Sequence, residues 1–172
     1  DYMLEVTSCP LQLPDGAVEG DNITCWTFTV PEQHVQPEGK TIDLIVAIVK
    51  SLQQPAQPDP LFMLSGGPGS SALKVFIPLL FSDAGEAFRT HRDVVLVEQR
   101  GTLYTSHYLY CDESEAMNQQ LMAQNLTYQE RSSILEENLK ACYQRLSDQG
   151  TNLSAYNSLE IAADIAAVAK TL

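Results

Sequence analysis

Residues 61–71 read LFMLSGGPGSS, an apolar run that stops in a glycine-rich turn. A short apolar segment bounded by turn residues is typical of a strand buried on both faces in the middle of a parallel sheet. Gly66, Gly67 and Gly69 can adopt backbone angles that other residues avoid and let backbone N–H groups approach a ligand. Pro68 stiffens the turn. The stretch therefore predicts a rigid loop with free amide donors at the end of a buried strand, where open α/β sheets form binding crevices.

The residues around the glycines separate the possible uses of such a loop. A Walker-type phosphate loop needs Lys and then Ser or Thr after its last glycine, whereas Ser70 and Ser71 follow Gly69. A dinucleotide-binding loop needs the order G-x-G-x-x-G, which residues 66–69 lack. An oxyanion-binding loop needs only well-aimed backbone donors. Two interpretations therefore remain: an oxyanion-binding loop, and a glycine turn that only reverses the direction of the chain.

Length and charge narrow the function classes. The chain has 172 residues, enough for one domain with a sizeable core. Its formal net charge is -12 and its pI is about 4.4. Nucleic acids and anionic membrane surfaces attract clustered Lys and Arg, so the composition argues against both as partners. No apolar stretch reaches the roughly 20 residues of a transmembrane helix, so no membrane span is predicted.

The first third of the chain predicts a lead-in followed by an antiparallel hairpin. Residues 1–25 are rich in Pro, Gly and Asp and are expected to be irregular. Residues 26–30 alternate apolar and polar side chains, and residues 42–49 are strongly β-prone. These two segments are the expected strands of the opening hairpin.

The middle of the chain predicts a strand-helix-strand unit with parallel strands. Helical apolar spacing follows the glycine loop, with Pro78 expected to kink or interrupt the helix. Residues 93–98 form another buried apolar run, ending in the polar turn of Gln99, Arg100 and Gly101. Parallel strands end at the same edge of a sheet, so this turn should lie beside the glycine loop.

The last third predicts two capped helices. Thr127 and Glu130 have the spacing of a capping box. The helix they start should end near Gly150 and pack through the face of Leu135, Leu139, Cys142 and Leu146. Asn157 and Glu160 have the same spacing before a second amphipathic helix. The domain is thus divided into a lead-in (1–25), a sheet with the oxyanion loop (26–102) and a helical segment (103–172).

The chain has four cysteines. Cys9 and Cys25 bracket a turn-rich loop, while Cys111 and Cys142 bracket a helical stretch. No C-x-x-C pair or neighbouring His gives zinc-ligand spacing, so no metal site is expected. Local pairing predicts two disulfides and an oxidising, extracytoplasmic compartment, with four buried free thiols as the alternative.

Three Asn-x-Ser/Thr sequons also favour an extracytoplasmic location. Their support is weak, since about one sequon is expected by chance. They begin at Asn22, Asn125 and Asn152. Their use depends on the host, so glycosylation stays open.

Four segments together resemble a known enzyme family: Cys25 to Pro31, Leu64 to Ser70, Arg92 to Thr102, and Tyr156-Asn157 before Asp164-Ile165. The ordered set, with Cys111 and Cys142 in fitting places, is similar to the opening half of α/β-hydrolase-fold serine aminopeptidases. These are the proline iminopeptidase and tripeptidyl aminopeptidase group. The resemblance covers nearly the whole chain. It implies an α/β-hydrolase sheet that starts with an antiparallel hairpin and continues with parallel strands and crossover helices.

The resemblance also implies roles for the loop and the neighbouring turn. Gly67 would donate a backbone N–H to the oxyanion hole, within the oxyanion loop of Gly66, Pro68, Gly69 and Ser70. The turn of Glu98, Gln99, Arg100 and Gly101 matches a motif that shapes the same sheet edge. Arg100 is interpreted as structural, pairing a nearby carboxylate, with substrate binding as the alternative. The chain departs from the family pattern at Ser65, Glu98 and Leu103, where many members have His, Asp and Gly.

The chain contains no G-x-S-x-G elbow for a nucleophile. The resemblance places that elbow after the strand expected beyond Leu172, so the chain resembles a truncated N-terminal half. Among local candidates, Ser70 and Ser71 are expected to cap the following helix. His34 and His91 lie in segments that are usually solvent-exposed, and His107 is the imidazole nearest the expected site.

The sequence thus favours the N-terminal segment of a secreted serine hydrolase. Its expected substrates are peptides cleaved at their N-terminal end, or small amides or esters, and its expected partner is the remaining half of the domain. No cofactor is expected, and the 172 residues alone are predicted to be inactive. A noncatalytic binding module and an esterase or amidase of the same fold are the alternatives.

Overall fold

The computed structural model describes residues 2–67, 69–123 and 125–172, so the predicted stiffening by Pro68 lies outside the described residues. The chain forms two compact units. One unit contains Asp1–Tyr108 with Ala155–Leu172, and the other contains Leu109–Ser154. The first unit carries a sheet flanked by helices, and the second is helical. The mixed α/β class predicted from the sequence is confirmed.

The sheet of the first unit has five strands. They are β1 (Met3–Thr7), β2 (Ile23–Pro31), β3 (Thr41–Val49), β4 (Gln57–Met63) and β5 (Arg92–Val97). Their order across the sheet is β1-β2-β3-β5-β4. β4 and β5 are parallel, and the other neighbouring strands are antiparallel. The predicted hairpin of β2 and β3 and the predicted parallel pair are both confirmed.

The irregular lead-in predicted for residues 1–25 is only partly correct. Met3–Thr7 forms β1, which pairs with β2 from Met3 opposite Thr29 to Thr7 opposite Cys25. The side chain of Val6 is 71% exposed. This strand is stabilised by hydrogen bonds to its neighbour more than by burial, so it leaves little hydrophobic pattern in the sequence.

The strand before the glycine loop does not lie in the middle of the sheet. Among the strands that the described residues form, β4 lies at the edge, with residues 57–60 exposed and residues 61–63 half-buried. The interior position belongs to β5, which pairs with β3 on one side and β4 on the other. An apolar run indicates that the faces of a strand are covered, but it does not indicate which strands pair with it. The predicted position in the middle of the sheet was wrong for this reason. Pro58 and Pro60 were the signal for an edge, since proline cannot donate to a ladder.

Helices cover both faces of the sheet. Helix α1 (Ala72–Leu80) contributes to one core with Val94 and Leu96 of β5. A later helix, Ser158–Thr171, contributes to the other core with Val95 and Val97. β5 is therefore apolar on both faces, as its continuous hydrophobic run predicts.

Capping residues begin these helices where the sequence places them. Ser71 caps α1 by accepting a hydrogen bond from the N–H of Lys74. Pro78 lies inside α1, which ends at Leu80. A 3₁₀ turn, Glu86–Arg89, then leads into β5. The predicted role of Ser71 is confirmed.

The second unit consists of α2 (Glu113–Ala123) and α3 (Tyr128–Asp148). The predicted capping box of Thr127 and Glu130 is present at the start of α3. The final helix of the chain, Ser158–Thr171, is α4 and belongs to the first unit.

Only half of the predicted apolar face of α3 is buried. Cys142 and Leu146 are buried, whereas Leu135 and Leu139 are 42% and 62% exposed. The disulfide and the ion pair that join α3 to residues 110–113 both lie at its C-terminal half. Only the C-terminal half of α3 is therefore buried by neighbouring residues. The helical spacing of apolar residues alone does not predict where along the helix burial stops.

Both predicted disulfides, Cys9–Cys25 and Cys111–Cys142, are present. They are consistent with an extracellular or secreted protein. Within the described ranges, the helices are too short or too polar to cross a membrane.

The second disulfide should stabilise the helical unit specifically. Cys111 and Cys142 are separated by 31 residues, so removing the bond frees a loop of that length in the unfolded chain. Replacing both by Ser should cost about 3 to 4 kcal/mol. Amide hydrogen exchange of α3 should accelerate while that of β2 and β3 is unchanged. Acceleration throughout the sheet would contradict this assignment.

Candidate functional site

The glycine loop lies between β4 and α1, at the carboxyl end of the parallel strand pair. Gly67 and Gly69 have φ angles of 135° and 88°, a region that L side chains rarely adopt. Gly66, Gly67 and Gly69 are exposed. The sequence prediction that these glycines shape a turn at the sheet edge therefore agrees with the backbone geometry.

The loop amides have no protein partners within the described ranges. The N–H groups of Gly66, Gly67, Gly69 and Ser70 donate no hydrogen bond to another described residue. Backbone N–H groups are normally paired or solvated, so four consecutive described residues with unpaired donors leave these groups available to a ligand. Such an array can bind an anion or a developing negative charge.

The end of the loop is held by a buried carboxylate. Glu98 is 0% exposed. Its Oε2 accepts a hydrogen bond from the hydroxyl of Ser71 at 2.9 Å and from the N–H of Leu73 at 3.3 Å. Its Oε1 accepts from the Thr102 hydroxyl at 2.7 Å and lies 3.5 Å from the N–H of Tyr104. Hydrogen bonds and the N-terminus of α1 thus compensate for the burial of this carboxylate.

The start of the loop is held by the next residue along the chain. The Nε2 of Gln99 donates to the backbone carbonyl of Ser65 at 2.9 Å. Glu98 and Gln99 therefore contact opposite ends of the glycine loop. This arrangement follows from the parallel pairing of β4 and β5, which brings the ends of both strands to one edge.

Arg100 turns to the opposite side and is buried in a polar cluster. Its Nε and Nη2 each lie 2.7 Å from a carboxylate oxygen of Asp164 in α4. Its Nη1 donates to the backbone carbonyls of Glu32 and Ala155 at 2.6 and 2.8 Å. Arg100 thus pairs a carboxylate, as the structural interpretation expects, and it joins α4 to the end of β2.

His34 belongs to the same cluster, so the expectation that it is exposed was wrong. Its side chain is only 17% exposed, and its Nε2 lies 2.7 Å from Asp164 Oδ1. The carboxylate of Glu160 accepts from the N–H of His34 at 2.9 Å. Asn157 caps α4 by accepting hydrogen bonds from the N–H groups of Leu159 and Glu160, as its place in the sequence predicts.

Tyr156 also belongs to the polar cluster around Arg100. Its hydroxyl is buried near the carboxylate of Glu32, without a hydrogen bond of good geometry to a described residue. Burial, and next the negative charge of Glu32, raise the pKa of Tyr156 to about 12. Asp164, Glu160 and Tyr156 were not singled out as site residues in the sequence. Tyr156 and Asp164 lie within the segments that resemble the hydrolase family, whereas Glu160 was named only as a capping residue.

His107 makes no hydrogen bond or ion pair to the glycine loop within the described ranges. Its Nδ1 lies 3.1 Å from the hydroxyl of its neighbour Ser106. Ser106 also accepts from the N–H of Asp43 at 2.8 Å, so it ties this segment to β3. His91 is exposed, as expected. Among the described residues, the His side chains thus form their hydrogen bonds outside the glycine loop.

The sequons differ in their surroundings. The side-chain amide of Asn22 donates to the carbonyl of Gly16 and accepts from the N–H of Val18, both at 2.8 Å. Asn125 is exposed. The Oδ1 of Asn152 accepts from the hydroxyl of Ser154 at 2.7 Å.

A single group of potential metal ligands occurs in the described part of the chain, formed by Cys111, Glu113 and Cys142. The two cysteines form a disulfide and cannot bind a metal as thiolates. Glu113 instead pairs with Arg145, whose hydrogen bond lowers the pKa of that carboxyl. The geometry is that of a structural ion pair.

Alanine substitution should distinguish the glycines by their backbone angles. Gly67→Ala and Gly69→Ala force a side chain into the positive-φ region and should each cost about 1 to 3 kcal/mol. Gly66 lies outside that region, and a Cβ there would meet nothing within 4 Å. Gly66→Ala should therefore be neutral or stabilising by up to about 1 kcal/mol. Urea unfolding measures these differences, and equal effects at all three positions would refute the assigned loop geometry.

The cluster around Arg100 should be far more sensitive than a surface ion pair. Arg100→Met leaves the Asp164 carboxylate buried without its cation and should cost about 3 to 5 kcal/mol. The control is Arg92→Met, which removes an exposed pair with Asp59 and should cost less than about 1 kcal/mol. Urea unfolding of both variants gives the comparison. A loss for Arg100→Met no larger than that of the control would show that the cluster is not structural.

Comparison with known proteins gives no relative from which a role could be transferred: no protein-family model and no curated protein matches the chain.

Proposed function

We propose that this chain supplies the oxyanion-binding part of a secreted α/β-hydrolase-fold serine hydrolase that cleaves peptides near their N-terminus. The observation that carries the proposal is that the N–H groups of Gly66, Gly67, Gly69 and Ser70 donate no hydrogen bond to a described residue. They lie in an exposed loop after a strand of a parallel pair. An α/β-hydrolase takes one oxyanion-hole donor from its β3–αA loop, a strand-to-helix loop of the same kind.

The chemistry of acyl transfer explains why such a loop is needed. Attack on a substrate carbonyl moves negative charge onto its oxygen, and preorganised donors stabilise that charge as it develops. The backbone N–H of Gly67 is the proposed donor. Loss of one such donor typically costs about 3 kcal/mol of transition-state stabilisation. Unpaired amides on a glycine turn can fill this role without first breaking a protein hydrogen bond.

The other half of the reaction is proposed to come from outside residues 1–172. The nucleophilic serine, its histidine base and the orienting acid are expected in sequence that follows Leu172 in the gene product. A second oxyanion donor would be the N–H of the residue after the nucleophile.

The preference for peptides rests on the resemblance of the four sequence segments to the aminopeptidase group. The loop geometry itself serves amides and esters alike. A secreted location is favoured by the two disulfides. The proposal therefore combines a chemical role drawn from geometry with a substrate class drawn from sequence resemblance.

The test is an activity assay of the full-length gene product on aminoacyl and peptidyl amides and on simple esters. Turnover should be sensitive to a fluorophosphonate serine probe, and residues 1–172 alone should neither turn over substrate nor be labelled. Gly67→Ala should lower kcat about hundredfold, because it redirects an oxyanion donor.

Gly20→Ala is the matched control, because Gly20 also has a positive φ, 83°, but lies away from the loop. It should leave kcat unchanged per folded molecule. A full-length product without serine-dependent turnover would overturn the proposal in favour of a binding module. Preference for esters over all peptidyl amides would replace the peptidase by an esterase.

A further inference from the structure

Two consecutive side chains after β5 hold the two ends of the glycine loop. Gln99 binds the carbonyl of Ser65 at 2.9 Å, immediately before the first glycine. Glu98 binds the hydroxyl of Ser71 at 2.9 Å, immediately after the last loop residue. Between these two anchors, the described N–H groups of the loop make no hydrogen bond to described residues. The loop is thus held at both ends, while the N–H groups described between the two ends bind no other described residue.

The contact from Gln99 sets the direction of the N–H of Gly66, the residue immediately before the proposed donor Gly67. A trans peptide is planar, so the carbonyl of one residue and the N–H of the next point in opposite directions. The cis bond recorded in the described ranges is Gln54-Pro55, so the Ser65-Gly66 peptide is trans. By holding the Ser65 carbonyl, Gln99 turns the N–H of Gly66 away from itself. That N–H cannot rotate independently of the hydrogen bond.

The contact from Glu98 fixes the other end through the first turn of α1. The Ser71 hydroxyl donates to Glu98 and accepts from the N–H of Lys74 at 3.1 Å. The same carboxylate accepts from the N–H of Leu73. Its second oxygen is held by Thr102, so the carboxylate itself has little freedom. The residue at which the loop joins the helix is therefore fixed from both sides.

We propose that Gln99 and Glu98 are positioning residues that orient the amides of the glycine loop for oxyanion binding. This inference rests on the proposed function. Oxyanion donors are effective only when their directions are set before the charge develops, and a glycine-rich segment has the least intrinsic stiffness of any sequence. The two side chains supply the stiffness that the glycines lack.

The first arm of the test measures the loop in the 172-residue chain, independently of any reaction. In Gln99→Ala, the ¹⁵N heteronuclear NOE of Gly66 and Gly67 should fall and the Ser65 carbonyl ¹³C shift should move. Both should be unchanged for Ile77 within α1. Gln144→Ala is the matched control, since Gln144 also donates one side-chain hydrogen bond, at 2.8 Å to Asp148. Unchanged loop signals in Gln99→Ala would overturn the proposal.

Glu98 is tested through Ser71, because replacing a fully buried carboxylate can prevent folding. Ser71→Ala removes the link to Glu98 together with the cap of α1 and should lower the NOE of Gly69 and Ser70. Thr127→Ala removes the cap of α3 in the other unit and should leave those signals unchanged. Equal loop signals in the two variants would show that Glu98 does not hold the loop.

The second arm measures catalysis in the full-length gene product. Gln99→Ala should lower kcat by about tenfold to hundredfold with KM within twofold, since it misdirects donors used in the transition state. Gln144→Ala should change neither. Loosened loop signals without any hydrolase activity in the parent protein would refute the proposed function and leave the orienting contacts standing. An active parent enzyme whose kcat is unaffected by Gln99→Ala would refute the positioning role alone.

Discussion

Three polar side chains that follow β5 organise this structure: Glu98 and Arg100 are buried and Gln99 is partly buried. A buried polar group must find partners, and each of these side chains finds them in a different segment. Glu98 binds the start of α1, Gln99 binds the end of β4, and Arg100 binds Asp164 of α4 and the end of β2. One short turn therefore joins both helical layers to the sheet. The same turn also bounds the glycine loop.

The two sides of this turn serve different purposes. On the side of Arg100, the guanidinium pairs with the buried carboxylate of Asp164 and with backbone carbonyls, so this side joins α4 to the end of β2. On the side of Gln99, the contacts stop at the loop's ends and leave the described glycine amides unpaired. A site that must receive charge cannot satisfy its own donors, so neighbouring groups have to supply the rigidity. The contrast between satisfied and unsatisfied donors is the strongest physical argument for a functional loop.

Much of the fold was readable because its signals are local. The hairpin of β2 and β3 follows from β-branched residues with turns between them, and the caps at Ser71, Thr127 and Asn157 follow from side chains acting within a few residues. The disulfides follow from short cysteine spacings. The wrong predictions concern the position of a strand within the sheet and contacts between segments far apart in sequence. They are the position of β4, the unexpected strand β1, and the burial of His34 against Asp164. A periodic pattern describes one segment and is silent about what another segment brings to it.

The sequence by itself determined that a strand ends in glycines with special backbone freedom, beside a second strand ending in Glu98, Gln99 and Arg100. Side-chain chemistry and spacing along the chain are enough for that. Only the tertiary structure decided which ends these residues hold, which amides stay unpaired, and that Asp164 is the partner of Arg100. Asp164 is 64 residues distant in sequence from Arg100. Hydrogen bonds between remote segments depend on strand order and helix placement, and those follow from packing of the whole unit rather than from any single stretch.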